Sequence, residues 1–159
     1  MLKILAFLFL IISNNLEAQK IAKVKIKDLL QIIDTSTNPT VLNFWASWCK
    51  PCIEEIPYFE KEAENNKSKN LKLILVNLDF PEDYPKHIQN FVKKEKYKSK
   101  IIWLDETDAD YFCPLIDSSW NGAIPVTIMI NNKKNYRKFY NSKISPENLK
   151  IAFRDLTDD

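Results

Sequence analysis

Val41-Leu42-Asn43-Phe44-Trp45-Ala46 is a short apolar run, and Cys49-Lys50-Pro51-Cys52 follows it almost at once. A run of this length and composition reads as a buried strand. The segment after it, Cys49 to Lys67, places Ile53, Ile56, Phe59 and Ala63 on one helix face. The Cys-x-x-Cys pair therefore falls at a strand-to-helix junction. There the unpaired N–H groups and the helix dipole favour a thiolate on the first sulfur. Such a junction belongs to an open α/β sheet, whose sites lie at the C-terminal ends of central strands.

The rest of the chain agrees. Residues 19–159 read as one alternating α/β unit. Ile21 to Ile26 alternates apolar and charged residues, as an edge strand does. Leu29, Leu30, Ile32 and Ile33 mark a helix that ends at the turn formers 34–39. Pro57 is expected to kink the helix after the cysteines. Leu71 to Leu78 reads as a second buried parallel strand, and a helix follows Pro85 with Ile88, Phe91 and Val92 inward. Ile101 to Leu104 is a short strand. Ile124 to Ile130 and Tyr136 to Tyr140 bracket a polar turn and read as a hairpin. Ser145-Pro146-Glu147 opens a last helix, which buries Leu149, Ala152, Phe153 and Leu156.

Composition excludes several functions. The net charge of +2 comes with no basic block, so nucleic-acid binding has no electrostatic support. Gly122 is the only glycine, which rules out a glycine-rich phosphate loop or a dinucleotide fingerprint. Residues 1–18 read as a secretory signal peptide: Lys3 carries the charge, Ile4 to Ile12 is apolar, and Ala18 precedes the cut. An uncleaved membrane anchor is the alternative. Either way the domain, residues 19–159, is expected in a periplasmic or other extracytoplasmic compartment. An odd cysteine count leaves at least one thiol outside any internal pair. Cys113, before Pro114 where extended backbone is favoured, is expected to be a buried free thiol, with a third redox cysteine or a site of intermolecular pairing as the alternatives. A zinc site would have to combine Cys49, Cys52, Cys113 and His87 without paired ligand spacing on the second side, so no metal is expected. His87 is expected on the solvated side of its helix.

Phe44-Trp45-Ala46-Ser47-Trp48-Cys49-Lys50-Pro51-Cys52, then Glu55, Pro57 and Ala123-Ile124-Pro125, resemble the exported thioredoxin-like thiol-disulfide oxidoreductases of the TlpA/ResA type. The resemblance covers most of residues 40–157, and it implies a helix within Asp105 to Asn121 that leads to the proline loop. It implies a thioredoxin-like α/β fold, a central mixed sheet flanked by helices. It implies Cys49 as nucleophile and Cys52 as resolving cysteine. Glu55 stands three residues after Cys52, on nearly the same helix face, where it would relay a proton. Asn43 stands where cytoplasmic thioredoxins carry a buried aspartate and cannot act as base. The resemblance also implies a cis proline at Ile124-Pro125, which leaves the Ile124 backbone to pair with substrate. Gly122 fits a close approach at that turn. Trp48 is expected beside Cys49, touching substrate, and Trp45 in the core. Trp120 is expected either in the same groove or in plain packing.

The function implied is reduction of protein disulfides without a cofactor. The expected protein is a monomer. Its partners would be a membrane thiol electron donor and disulfide-bearing exported proteins, apocytochromes c among them. That would place it in redox homeostasis and cytochrome c maturation. Two other readings of the same residues are a thiol peroxidase on this fold and a redox-inactive binding module.

Overall fold

The apolar run after Pro39 forms strand β2 (Thr40–Trp45), and every residue in it is buried. The structure, a computed structural model, describes residues 20–158, so the expected signal peptide lies outside the described residues. In chain order the other elements are β1 (Ala22–Val24), α1 (Ile26–Thr35), α2 (Lys50–Asn65), β3 (Lys72–Asn77), α3 (Lys86–Glu95) and β4 (Lys100–Leu104). They are followed by α4 (Ala109–Ile116), β5 (Val126–Asn131), β6 (Tyr136–Tyr140) and α5 (Pro146–Thr157). The six strands form one sheet in the order β1-β4-β3-β2-β5-β6. The first four run parallel, and β5 and β6 are antiparallel additions. This is the mixed sheet with flanking helices that the sequence implied.

Side-chain alternation along β2 builds two cores. Val41 and Trp45 point to the layer of α2 and α5, where Ile56, Phe59, Leu149 and Phe153 are buried. Leu42 and Phe44 point to the opposite layer, with Leu29 of α1 and Phe112 of α4. Asn43 therefore shares a face with Val41 and Trp45. The antiparallel register sets Asn43 directly opposite Thr127 of β5.

Two local expectations give way. β1 is shorter than Ile21–Ile26, because the chain turns into α1 at Ile26. The Lys25 amide donates to Asp28 Oδ2 at 2.9 Å, and the Ile26 amide to Glu106 Oε1 at 3.0 Å. These carboxylates satisfy the helix's first amides, which a longer strand would have to pair elsewhere. Cys113 lies inside α4 rather than in extended chain, although Pro114 follows it. Asp108 caps this helix by accepting from the Tyr111 amide at 3.2 Å. Burying Phe112, Cys113 and Ile116 on one side outweighs the local preference before a proline. α2 also continues through Pro57 to Asn65.

Candidate active site

The reactive pair sits where β2 hands over to α2. Cys49 is the residue that caps α2, and its Sγ accepts from the Cys52 amide at 3.3 Å. Lys50 and Pro51 fill the first turn, which holds no acidic side chain. A thiolate on Cys49 would thus meet an amide and the positive end of a helix. Cys49 and Cys52 form a disulfide. Both cysteines are buried, Cys49 at 5% exposure and Cys52 fully, so Cys49 lies nearer the surface. Cys113 stands apart, in the core on the other side of the sheet. It is a free, buried thiol, and burial with the nearby Asp110 pushes it up to about 11.

Glu55 is 1% exposed. Its Oε1 accepts from Asn43 Nδ2 at 2.8 Å, and its Oε2 from the Ile144 amide at 3.1 Å. Asn43 Nδ2 also donates to Thr127 Oγ1 at 3.0 Å. Burial holds the Glu55 carboxyl above its usual range; the Asn43 and Ile144 donors and the Lys143 charge offset part of that. Glu54, one residue away, behaves differently. It is solvated and pairs with Lys143 at 2.6 Å, which holds its carboxyl below the usual range.

The Ile124–Pro125 bond is cis, and Cys49 Sγ lies 3.9 Å from the Ile124 carbonyl oxygen. Trp120 Nε1 donates to the Ala123 carbonyl at 2.8 Å while its ring packs on Phe44 and Phe112. Trp120 is thus a buried brace for this loop. Gly122 has φ +90°, yet a Cβ there would stand 3.5 Å from Ala109 Cβ, an ordinary contact. The glycine is needed for its backbone angle, and not for close approach.

Trp45 is buried, as expected, and Trp48 is 57% exposed. Trp48 stacks on Phe80, which is equally exposed, with ring centres 6.1 Å apart and planes at 21°. Phe80 escaped the sequence reading. The loop that carries it is tied to the cysteine loop through Asp79. Asp79 accepts from the Ser47 amide at 2.6 Å and from Asn77 Nδ2 at 3.1 Å, and its carbonyl accepts from Trp103 Nε1 at 2.9 Å. Exposed His87 sits 3.2 Å from Ser47 Oγ. The Ile144 amide and Thr127 were also missed. Thr127 had a signal, since it is a polar break in an apolar strand as Asn43 is. A backbone amide has none. A thiol peroxidase would need an arginine near its cysteine, whereas Arg137 donates to the Ile116 carbonyl and Arg154 pairs with Asp155.

A disulfide at the start of a helix, fed by a central strand of this sheet, with a cis proline beside it, defines a thioredoxin-like protein. Residues 11–143 match the AhpC/TSA family, and the chain belongs to that family. It is 31% identical over 111 residues to the sporulation thiol-disulfide oxidoreductase A of Bacillus subtilis, covering 70% of this chain and 64% of that protein. It is 34% identical over 102 residues to the thiol-disulfide oxidoreductase ResA of Bacillus cereus, covering 64% of this chain and 54% of ResA. Its fold is similar to that of the thioredoxin-related protein from Neisseria meningitidis serogroup B, with a TM-score of 0.64 and 22% identity over 78% of this chain and 88% of that one. The chain thus spans less than two thirds of the length of the two curated relatives.

Proposed function

We propose that the protein is an extracytoplasmic thiol-disulfide oxidoreductase that works mainly as a reductase of protein disulfides. The observation that carries this is the Cys49–Cys52 disulfide at the start of α2, with Cys49 the less buried of the two. In the reduced protein the Cys49 thiolate attacks one sulfur of a client disulfide. The client S–S bond breaks, a mixed disulfide forms, and one client thiolate leaves. Cys52 then passes its proton to Glu55, one helical turn away, and attacks Cys49 Sγ. The second client thiolate departs, and the protein is left with the Cys49–Cys52 disulfide. Two electrons have moved to the client, so a dithiol donor must reduce the protein before the next cycle. For an exported protein that donor is a membrane thiol carrier. Exported proteins with misplaced disulfides are the clients, and apocytochromes c fit that class. Ile124 and Pro125 line the approach to Cys49 and hold the client backbone, while Trp48 and Phe80 form an aromatic floor for a side chain beside the client cysteine.

Support for the class comes from the two curated relatives, both named as thiol-disulfide oxidoreductases. The exported location rests on the signal-like sequence of residues 1–18. Trapping tests the reading. Cys52→Ser is expected to retain client proteins as mixed disulfides on Cys49, released by a small dithiol. Insulin reduction by Cys49→Ser at the wild-type rate would overturn it.

A further inference from the structure

Asn43 Oδ1 is buried and has no hydrogen-bond partner among the described residues, while the Nδ2 of the same side chain makes two bonds. An orphaned acceptor at a site with no access to bulk water calls for an explanation. Asn43 is fully buried in β2, and its amide lies between the Glu55 carboxylate and the Thr127 hydroxyl. An amide turned over about its last bond keeps its shape and exchanges a donor for an acceptor. A hydroxyl serves either way, because it both donates and accepts.

We infer that Asn43 is a positioning residue whose amide turns over when Glu55 takes up a proton. With Glu55 ionised, Nδ2 donates to Oε1 and to Thr127 Oγ1, as the structure has it. When the Cys52 thiol gives its proton to Glu55 Oε1, that oxygen becomes a donor facing a donor. Turning the amide brings Oδ1 to face it. Oδ1 then accepts from Glu55 and from the Thr127 hydroxyl. Each orientation leaves one end of the amide unpaired, so neither is locked, and the proton decides between them. The Ile144 amide stays on Oε2 throughout and holds the carboxyl group in place.

The surroundings isolate this exchange. In the oxidised protein Cys52 is held in the disulfide, and Lys143, paired with Glu54, is the charged group acting on Glu55 from the loop before α5. β2 and β5 contribute the uncharged Asn43 and Thr127. The inference rests on the proton-relay reading of Glu55, but its test needs no client.

The oxidised full-length protein is followed by NMR across pH. The Glu55 carboxyl carbon is assigned by its loss in Glu55→Gln, and the Asn43 side-chain NH2 by its loss in Asn43→Leu. Above the carboxyl midpoint, the NH2 protons are expected to show Overhauser contacts to the Thr127 side chain. Below it those contacts vanish, with the same midpoint. Contacts that persist through the Glu55 transition would overturn the inference, as would a Glu55 that does not titrate. In turnover, Asn43→Leu is expected to slow client release from the mixed disulfide about tenfold and to shift its pH profile, with KM unchanged. Complete absence of a mixed disulfide in Cys52→Ser would instead sink the exchange chemistry itself and leave the NMR result standing.

Discussion

Glu55 shows how a single side chain differs in character from its neighbour. Glu54 and Glu55 are adjacent, yet Lys143 holds one below its usual range at the surface and the other is buried. For Glu55 the native carboxyl binds its proton more tightly than the unfolded one. Between the two pKa values the native state therefore holds more protons. Stability from this group is full below the unfolded value of 4.5 and falls as pH rises through the native value. Above that, the cost of a buried carboxylate is fully present. Glu55→Gln is accordingly expected to be more stable than wild type at about pH 8, by about 1.4 kcal/mol for each unit of upward shift. The difference should vanish near about pH 4, and urea unfolding at both pH values checks it. The cysteine pair was legible from spacing alone. The setting of Glu55 was not, because its partners are 12, 84 and 89 residues apart in sequence from one another or from it.

At the scale of elements, the loops after β2 and β3 act as one unit. Asp79 accepts from the amide of Ser47, and the Leu78 amide donates to the Trp45 carbonyl at 2.8 Å. That tie holds Phe80 against Trp48 without burying either ring. On the proposed function, two large exposed aromatics in contact with each other would suit an apolar client side chain. Phe80→Ala is therefore expected to raise KM about tenfold for disulfide peptides with Leu or Phe beside the cysteine. Peptides with Ser there should change far less; equal effects on both would remove the aromatic floor. The strand and helix order was readable from periodicity. The course of α4 was not, because Pro114 argues locally against a helix that burial on α1 makes favourable.

The described residues form one sheet between two apolar layers, and stability is shared across them. Phe153 of α5 meets Phe59 of α2 edge-on at 6.1 Å, fully buried beneath the site. Phe153→Ala is expected to cost about 3–5 kcal/mol and to lower the urea midpoint in a single transition. A variant with wild-type stability would mean that this layer is not continuous. Local pattern determined much of this protein. Strand and helix periods, the cysteine spacing at a helix start and the polar breaks at Asn43 and Thr127 are properties of neighbouring residues, and a linear chain displays them. The tertiary structure alone decided which polar groups meet. The antiparallel register puts Asn43 opposite Thr127, and α2 lays Glu55 beneath both. Burial then gives that carboxyl a proton affinity that no stretch of sequence encodes, because it depends on water removed by residues from distant parts of the chain.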